Sequence, residues 1–403
     1  MTDIVKGLRR VQDAAVEGKS VLVRVDYNVP LSGGAVADDA RITASFPTLE
    51  HLLNHRAKVV LVSHLGDPEG QVVPGLRLDP IAERLEALLG RPVKKLRDCV
   101  GDEVKDAVAK GVPADLFLLE NVRFHPGEST NDPQFAHKLS ELADLYVNDA
   151  FAALHRAHAS TEGVTHFLPS YAGLLVQKEI AALSRLTNRP ERPYIALIGG
   201  KKAESKLGAL RDLLGRVDTI LIGGGVAFTF LHATGCAVGA SVVDESVEKE
   251  IREVIRLAGE KKTRIVLPTD VVIARAVSAT AETATASAKA IPEGWIGLDI
   301  GPETVEVFRQ EINRARTIVW TGPMGAFELE PFSNGTRAIA SALARARAFT
   351  VVGGGETGEA VAAMGQEKGI SYISTGGGAC LAILRGKTLP ALEALRDSGS
   401  SGT

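Results

Sequence analysis

The sequence has few cysteines and no long hydrophobic run, and each absence argues against a class of protein. Its 403 residues include three cysteines, Cys99, Cys236 and Cys380, which are far apart and form no CxxC pair. This number and spacing argue against a disulfide framework or a zinc site and fit a reducing compartment. No apolar run reaches membrane-spanning length, and the N-terminal residues lack the apolar centre of a signal peptide. We therefore expect a cytoplasmic protein without a membrane partner.

An excess of charge of one sign is also missing. The formal net charge is −3, from 46 basic and 49 acidic residues. The chain as a whole therefore has no attraction for nucleic acid or anionic lipid, and we expect no nucleic-acid partner. Any anion-binding site must be a local cluster of basic residues. The apolar fraction of 45% is that of a soluble globular protein, and the length predicts two domains rather than one.

Short apolar segments rich in β-branched residues recur along the chain and alternate with segments of helical periodicity. The helical pattern is clear at 78–90 and 245–260, where apolar residues are spaced by three and four. The predicted strands are 20–28, 58–64, 115–121, 144–150, 193–200, 219–225, 263–268, 317–322, 349–355 and 371–378. This alternation predicts an α/β fold with two doubly wound, Rossmann-like parallel-sheet domains, whose ligands bind beyond the carboxyl ends of the strands.

The two halves of the chain differ in the residues that come directly after the strands. Before residue 170 these positions carry histidine, arginine and asparagine, and eight of the nine histidines lie in that half. After residue 190 they carry glycine, at 199–200, 223–225, 353–355 and 376–378. The segment 171–193 has the pattern of a linking helix followed by a proline-containing loop. We infer one basic domain and one glycine-rich domain.

The glycines of the second half indicate an anion site that is not a P-loop. Backbone N–H groups approach an anion closely where no Cβ intervenes, and a helix N-terminus adds to the attraction. One such glycine pair is more often a tight turn, whereas four in one domain favour a binding site. The chain has no GxxxxGK[ST] motif, and no GxGxxG with a downstream acidic residue for ribose.

Two lysines and two glutamates in this half are candidates for phosphate and nucleotide chemistry. Lys202 and Lys206 are four residues apart, which predicts one face of the helix that comes after the glycines. A solvated helix face is the alternative interpretation of that pair. Glu356 comes after three glycines, where Mg²⁺ could bridge its carboxylate to phosphates, although such a residue is more often a capping acid. Glu328 could accept a hydrogen bond from a ribose hydroxyl.

The basic half predicts a site for a small anion. Alternation along 20–28 would place Arg24, Asp26 and Asn28 on one face of a strand. The further basic residues at strand ends or in the loops beyond them are Arg41, His64, Arg123 and Arg156. The arginine fork suits carboxylates and phosphates, and it is the convergence of these residues, not any one of them, that favours a binding site.

These residues lie in motifs that together resemble those of the phosphoglycerate kinase family. The motifs occur in order from about residue 19 to 387 and include VLVRVDYNVP, SHLG, LENVRFHPGE, NDAF, HRAH, GGGVAFTFL, GLDIGPET, WTGPMGAFE, VVGGGET and STGGGA. The resemblance implies phosphoglycerate on an N-terminal lobe, Mg²⁺ with ATP or ADP on a C-terminal lobe, and a hinge that closes. The implied reaction is reversible phosphoryl transfer between 1,3-bisphosphoglycerate and ADP, giving 3-phosphoglycerate and ATP.

The resemblance also implies roles for individual residues. The implied catalytic residues are Arg41, Lys202 and Lys206, and the implied substrate-binding residues are Asp26, Asn28, Arg41, His64, Asp67, Arg123 and Arg156. The implied nucleotide-binding residues are Gly200, Lys206, Gly224, Gly225, Gly297, Leu298, Pro323, Glu328, Gly354, Gly355, Glu356 and Thr357, with Glu356 also at the metal.

The chain departs from the family pattern at several of these positions. Asp67 stands where the family usually has an arginine that holds the 3-phosphate, so either its loop turns it toward a basic neighbour or phosphoglycerate binding is weakened. Lys201, Ser205, Thr321 and Glu356 are further departures, and Ala382 and Arg385 stand where acidic residues are common. The alternative to a working phosphoglycerate kinase is a diverged paralogue, either a kinase for another carboxylic acid or a catalytically weak sensor.

We assign residues 1–170 to the phosphoglycerate-binding domain and 171–190 to an interdomain helix and hinge. Residues 191–385 form the expected nucleotide-binding domain, and 386–403 form a segment that we expect to return to the N-terminal domain before a flexible tail. We expect a monomer.

Overall fold

A computed structural model describes residues 7–398 of the chain. The described residues divide into two compact units. One, which we call the C-lobe, contains residues 182–387, and the other, the N-lobe, contains the described residues before 182 and after 387. The division falls within a helix, Leu174–Thr187.

The N-lobe is built around one parallel sheet. Its strands are β1 Ser20–Arg24, β2 Leu31–Ser32, β3 Ala35–Val36, β4 Lys58–Val62, β5 Lys94–Lys95, β6 Leu116–Leu118, β7 Leu145–Asn148 and β8 Ser170–Ala172. Its helices, together with the one at the division, are α1 Ala40–Ala44, α2 Phe46–Asn54, α3 Asp79–Leu89, α4 Asp102–Ala109, α5 Pro126–Ser129, α6 Pro133–Ser140 and α7 Leu174–Thr187. Short 3₁₀ helices are Val11–Asp13, Pro74–Leu76, Val122–Phe124, Phe151–Ala153 and Gly163–His166. The six-stranded sheet has the order β5-β6-β4-β1-β7-β8, and its pairings are parallel.

The C-lobe repeats this plan and adds two smaller sheets, one of three strands and one of two strands. Its strands are β9 Tyr194–Ile198, β10 Thr219–Ile222, β11 Ala237–Val238, β12 Arg264–Val266, β13 Asp270–Ala274, β14 Thr283–Ser287, β15 Ala290–Ile291, β16 Ile296–Ile300, β17 Thr317–Thr321, β18 Phe349–Gly353 and β19 Tyr372–Ser374. Its helices are α8 Glu204–Leu213, α9 Gly224–Ala233, α10 Glu248–Glu260, α11 Pro302–Arg314, α12 Asn334–Arg345, α13 Gly355–Ala363 and α14 Gly377–Leu384, with 3₁₀ helices Glu245–Val247, Glu330–Phe332 and Glu367–Gly369. The parallel sheet has the order β12-β10-β9-β17-β18-β19, an antiparallel sheet has the order β14-β13-β16, and the two-stranded sheet is formed by the pair β11 and β15.

Helix boundaries arise from local chemistry. Helix α6 begins where Asp132 accepts a hydrogen bond from the Phe135 N–H at 2.7 Å, with Pro133 in the first turn. Helix α3 buries Ile81 and Leu85, spaced by four, and ends at Gly90 in the left-handed conformation. The capping side chain sets where a helix begins, and the apolar face packs the helix against the rest of the lobe.

The C-terminal helix α15, Pro390–Asp397, belongs to the N-lobe. The N–H of Ala391 donates to the carbonyl of Leu154 at 3.3 Å, and Leu392 and Leu395 are buried. The last residues of the chain, within the expected tail, lie outside the described residues.

The predicted fold class is confirmed, and all ten predicted strands take part in the two parallel sheets. The edge strands β5 and β8 are not among the predicted strands. Residues 170–172, which include the start of the predicted linking helix at 171, form β8, and the helix begins only at Leu174. The antiparallel sheet is also absent from the prediction. Its strand β14 lacks large apolar residues and is mostly exposed, whereas β13 and β16 are apolar segments that are not among the predicted strands.

The structure also bears on the expectations about membrane-spanning segments and disulfides. Among the described residues, none of the helices has the length and apolar character needed to cross a membrane. The three cysteines, all within the described residues, form no disulfide, and Cys99 and Cys380 are buried.

Candidate active site

In the N-lobe the basic residues gather where the winding of the sheet reverses. The chain runs outward from β1 to β4 and β6 and then returns to β7 beside β1, so the reversal lies between β1 and β7. Open parallel sheets bind ligands at the carboxyl ends of the strands at such a point. Arg24 ends β1, and His64 lies two residues beyond β4.

A buried hydrogen-bond chain leads from Glu128 to His64. Glu128 is fully buried and accepts from both the N–H and the hydroxyl of Ser160, at 2.9 and 2.7 Å. The Ser160 hydroxyl in turn accepts from Arg24 Nε at 2.9 Å, and Arg24 Nη2 lies 3.0 Å from His64 Nδ1. Burial raises the pKa of Glu128, but nearby His158, Arg24 and Ser160 outweigh burial and lower it overall. Glu128 is therefore the anionic counterpart of the buried Arg24.

This chain fixes the protonation of His64. Arginine has only donors, so His64 Nδ1 must accept and the ring proton must sit on Nε2. Burial lowers the pKa of His64 well below its usual value, and the charges of Arg24, Arg123, Arg156 and Arg41 lower it further. The result is a neutral imidazole with an N–H donor, surrounded by four cations.

Asp26, Asn28 and Arg41 form a second part of this site. Arg41 Nη1 donates to Asp26 Oδ2 at 2.8 Å, and the N–H of Asn28 donates to Asp26 Oδ1 at 3.1 Å. The prediction that strand alternation aligns Arg24, Asp26 and Asn28 is wrong, because β1 ends at Arg24. Asp26 and Asn28 instead lie in the loop beyond the strand, where Asn28 Oδ1 accepts from the N–H of Gly66 at 2.9 Å.

Arg123, Asp67 and Arg156 complete the cluster. Arg123 Nη1 donates to the carbonyl of Gly66 at 2.7 Å and lies 3.4 Å from Asp67 Oδ1. Asp67 therefore lies next to a basic neighbour, which is one of the two alternatives expected for this position. That neighbour, Arg123, is itself a predicted phosphate ligand. Burial lowers the pKa of Arg123, Arg156 lowers it further, and Asp67 opposes the shift. Arg156 is exposed, with Nε 3.3 Å from His155 Nε2.

In the C-lobe the corresponding reversal lies between β9 and β17. A cleft of about 440 Å³ opens there at the carboxyl ends of β9, β17 and β18. It is lined by Gly200, Lys201, Lys202, Ser205, Lys206, Thr321, Gly322, Gly353, Gly354, Gly355, Glu356, Thr357, Gly377 and Leu381. The N-termini of α8, α13 and α14 thus border one cavity that also holds three lysines, an arrangement that favours a polyanion.

The two predicted lysines line this cleft, but not as successive turns of one helix. Helix α8 begins at Glu204, so Lys202 precedes the helix and only Lys206 is on it. The shared-face prediction is therefore wrong, because the chain after Gly200 forms a short loop before the helix starts. Lys206 is half-buried; burial lowers its pKa, and Glu356 opposes the shift.

Glu356 and Thr357 occupy the first turn of α13 after Gly354, whose φ is +103°. Glu356 is exposed, whereas Thr357 is buried and its hydroxyl accepts from the N–H of Gly322 at 2.7 Å. Gly353, Gly355 and Gly358 also have the GxGxxG spacing, but the next strand ends at Ser374 rather than at an acid. The loop therefore lacks the ribose-binding acid of a dinucleotide site.

Gly224 and Gly225, predicted to bind nucleotide, are used in backbone packing. The N–H of Gly224 donates to the carbonyl of Met324 at 2.9 Å. A Cβ on Gly225 would lie 2.5 Å from the carbonyl oxygen of Lys201. Neither glycine lines the cleft.

The four other predicted nucleotide residues lie on nearby elements of the C-lobe. Gly297 and Leu298 are on β16, where the Leu298 carbonyl accepts from the N–H of Ala326 at 2.9 Å. Pro323 is buried, its carbonyl accepts from the N–H of Gly200 at 2.9 Å, and Glu328 is exposed. These residues also do not line the cleft.

Sequence reasoning missed several residues of the two sites. Glu128 and Ser160 carry no signal that distinguishes them from ordinary polar residues, because their role arises from contacts between distant segments. Gly322, which lines the C-lobe cleft, lies in the motif WTGPMG, whose pattern by itself indicates only a loop. Arg385, one of the departures from the family pattern, forms an ion pair with Asp212 at 2.7 Å.

Comparisons with known proteins agree with this geometry. The sequence model of the phosphoglycerate kinase family matches residues 11–387. The phosphoglycerate kinase of Moorella thermoacetica is 52% identical over 387 residues, covering 96% of this chain and 98% of that protein. That of Pelotomaculum thermopropionicum is 49% identical, covering 96% and 99%.

Solved structures give the same result. The phosphoglycerate kinase of Coxiella burnetii superposes with a TM-score of 0.85 at 37% identity, covering 97% of this chain and 99% of that chain. That of Pyrococcus horikoshii superposes with a TM-score of 0.86 at 32% identity, covering 98% and 100%. Together with the sequence match over nearly the whole chain, these likenesses establish that this chain belongs to the phosphoglycerate kinase family.

Proposed function

We infer that this protein is a phosphoglycerate kinase, an ATP-dependent phosphotransferase. It catalyses reversible phosphoryl transfer between 1,3-bisphosphoglycerate and ADP, giving 3-phosphoglycerate and ATP. The observation that carries this inference is that one family-matched chain holds two anion sites of different chemistry, an arginine–histidine cluster and a glycine–lysine cleft. The comparisons do not favour the alternative of a diverged paralogue.

We assign the acid substrate to the N-lobe cluster. His64 Nε2–H, Asn28 and the Asp26–Arg41 pair would hold the glycerate end through its carboxylate and hydroxyl. Arg123 and Arg156 would hold the 3-phosphate, because the guanidinium fork matches phosphate oxygens. Since the buried Arg24–Glu128 chain fixes the imidazole, the donor from His64 is oriented before substrate arrives.

We assign the nucleotide phosphates to the C-lobe cleft. A β-phosphate oxygen of ADP attacks the acyl phosphorus, the bond from phosphorus to the carboxylate oxygen breaks, and the carboxylate leaves with the electron pair. Arg41 and Lys202 would stabilise the phosphoryl group in transit, and Lys206 with the 353–357 loop would hold the nucleotide phosphates. Stabilisation of charge in the transition state is the main contribution a protein makes to this chemistry.

The donor set of the cleft fits Mg²⁺ bound with the nucleotide. Glu356 is an exposed carboxylate at a helix N-terminus, where it would repel phosphates unless a cation lay between them. Magnesium is commonly held by one or two carboxylates together with substrate phosphates, so we propose Glu356 as its protein ligand. The ion would neutralise phosphate charge during transfer.

The remaining features of the proposal arise from the reaction. Transfer requires the two ligands to meet, so we propose that the lobes close about a hinge near α7. We also propose a cytoplasmic monomer, in keeping with described cysteines that form no disulfide and with the balanced charge.

The test is a coupled assay with 1,3-bisphosphoglycerate and Mg-ADP as substrates. We expect ATP to form at a rate proportional to protein concentration, and ATP formation to cease when Mg²⁺ is chelated. If purified, folded protein forms no ATP under these conditions, the assignment of this activity is wrong.

A matched pair of variants locates the chemistry in the cleft. Lys202→Ala should lower kcat by about two orders of magnitude, because charge stabilisation of a transition state is typically worth that much. Lys249, exposed on α10 of the same lobe, offers the same change of charge away from the cleft. Lys249→Ala should leave kcat unchanged, and an equal loss in both variants would exclude a specific role for Lys202.

A further inference from the structure

Asp67 places a carboxylate against an arginine that the proposed function assigns to the substrate phosphate. The Asp67 side chain is 72% exposed, whereas that of Arg123 is only 7% exposed. The carboxylate oxygen Oδ1 lies 3.4 Å from Arg123 Nη1, which is an ion pair at longer than normal hydrogen-bond distance. The buried guanidinium therefore meets an anion that approaches from the solvent side.

Arg123 has unused binding capacity. Its Nη1 donates to the carbonyl of Gly66 at 2.7 Å, but its buried Nε has no partner within the described part of the chain. Buried donors without partners are uncommon and costly, and a bound ion is one of the few arrangements that accounts for them. Arg156 adds a second positive charge close enough to act on Arg123. The surroundings of Arg123 thus suit an anion with more charge and more oxygens than one carboxylate.

The loop that carries Asp67 is anchored on both sides of it. The N–H of Gly66 donates to Asn28 Oδ1 at 2.9 Å, and the N–H of Gly70 donates to the carbonyl of Arg123 at 3.2 Å. Gly66 and Gly70 both have positive φ, which glycine adopts without strain. Because the backbone is held while the Asp67 side chain is in solvent, the carboxylate can leave Arg123 by rotating alone.

We propose that Asp67 is an internal counter-ion that competes with the substrate's distal phosphate for Arg123 and thereby lowers affinity for phosphorylated acids. This inference rests on the proposed function, because it takes the Arg123 site as the one for the 3-phosphate. The phosphate dianion displaces the carboxylate, since it brings more charge and more acceptor oxygens to Arg123 and Arg156. After displacement Asp67 still lies near the phosphate and repels it.

The experiment compares Asp67→Asn with a matched control on the same loop. Glu69 is exposed two residues further on, so Glu69→Gln makes the same change of charge outside the Arg123 pair. Isothermal titration calorimetry of the whole chain with 3-phosphoglycerate measures affinity without turnover, and glycerate serves as the ligand without a phosphate. Exposed ion pairs are worth roughly two- to fivefold in an equilibrium constant, and removing the repulsion adds to that. We expect Asp67→Asn to lower the Kd for 3-phosphoglycerate by about three- to tenfold.

A double variant tests whether the effect passes through Arg123. In the Arg123→Ala background, Asp67→Asn should change the Kd for 3-phosphoglycerate much less than in the parent chain. Glu69→Gln should have little effect in either background, and the affinity for glycerate should not respond to Asp67→Asn.

The outcomes separate this inference from the proposed function. If the parent chain binds 3-phosphoglycerate and Asp67→Asn leaves its Kd unchanged, or changes it no more than Glu69→Gln does, the inference is overturned and the function stands. An undiminished effect in the Arg123→Ala background also overturns it. If neither the parent nor Asp67→Asn binds 3-phosphoglycerate, both the proposed function and the inference fail.

Discussion

At the scale of single residues, His64 shows how buried contacts prepare a binding group. Four arginines act on it, and Arg24 occupies its Nδ1. A histidine protonated by substrate binding would be sensitive to pH near neutrality, whereas a neutral ring with a fixed tautomer is not. The proposed contact between His64 Nε2–H and the substrate carboxylate should therefore be constant across the physiological range.

The neutral ring of His64 should have a distinct NMR signature. Because burial and the neighbouring arginines lower its pKa well below 6.5, we expect a neutral Nε2–H tautomer with no titration between about pH 6.5 and 8. Long-range ¹⁵N–¹H correlation spectra distinguish the two tautomers and the imidazolium, and His64→Asn assigns the signal among the nine histidines. An imidazolium near neutral pH, or an Nδ1–H tautomer, would contradict the role of Arg24 as the donor to Nδ1.

At the scale of secondary-structure elements, glycines allow two strand ends to approach each other in the C-lobe. The N–H of Gly199, after β9, donates to the carbonyl of Thr321 at the end of β17, at 2.9 Å. A Cβ on Gly199 would lie 2.1 Å from the carbonyl oxygen of Pro323, which is backbone and cannot rotate away. Glycine at 199 is therefore required by packing where the cleft is formed.

Two identical substitutions should have opposite effects on stability. Gly199→Ala should lower the free energy of unfolding by about 1–3 kcal/mol or more, because overpacked sites must shift the backbone. Gly259 lies in the last turn of α10, and a Cβ at this position would have no atom within 4 Å apart from its chain neighbours and the backbone of its own helix. Gly259→Ala should therefore stabilise the protein by about 0.5–1 kcal/mol. Denaturant unfolding of both variants beside the parent measures these differences.

A loss of stability in Gly259→Ala would show that helix propensity does not decide the outcome there. A neutral result for Gly199→Ala would mean that β9 and β17 can separate without cost. In that case the close approach of the two strand ends is not the feature that shapes the cleft.

The element scale also shows how far the sequence alone predicts the fold. All ten apolar, β-branched segments form parallel strands, because most of them are buried on both faces of their sheet and need no distant information to be recognised. β5 is two lysines, and β8 is three residues with Tyr171 half-buried, so neither has a periodic pattern. The spacing of the two lysines also does not reveal where α8 begins. The sequence-based prediction therefore places Lys202 on the helix, although the helix begins at Glu204.

The site residues also divide into those that the sequence alone predicts and those that it does not. Arginines, histidine and glycines at strand ends can be found because position in a parallel sheet predicts where ligands bind. Glu128 and Ser160 act through contacts that reach Arg24 across more than a hundred residues of sequence, and Gly224 serves backbone packing. Such roles depend on tertiary contacts that no local pattern carries.

At the scale of the whole molecule, each lobe contains its own core and a buried aspartate whose pKa is raised by burial. Asp149 in the N-lobe is buried, its Oδ1 accepts from the N–H of Leu175 at 2.9 Å, and its Oδ2 has no partner among the described residues. Asp299 in the C-lobe is buried and accepts from the N–H groups of Ile300 and Gly335 at 2.9 and 2.6 Å. Burial raises the pKa of each to about 7.

The raised pKa values of these two acids set the direction of a pH effect on stability. A carboxyl group whose pKa is about 7 in the folded state and near 4 in the unfolded state binds its proton more tightly when folded. Its contribution to stability is fully present below about pH 4 and is lost as the pH rises through about 7. The free energy of unfolding should therefore decrease between about pH 4 and 7 through these two groups.

Asparagine at 149 removes the titration while keeping an oxygen to accept from Leu175. Asp149→Asn should therefore exceed the parent in stability at pH 8 by on the order of 2–4 kcal/mol and approach it at about pH 4. Asp106→Asn, at a position that is 74% exposed on α4 of the same lobe, makes the same change of charge without burial and should show no such pH-dependent gain. Calorimetric unfolding scans at several pH values measure the difference.

Because Asp149 and Asp299 lie in separate cores, two resolved transitions should respond separately, one to Asp149→Asn and the other to Asp299→Asn. Equal stability of Asp149→Asn and the parent at about pH 8 would show that the Leu175 and Val176 N–H groups stabilise the ionised carboxylate enough to offset its burial.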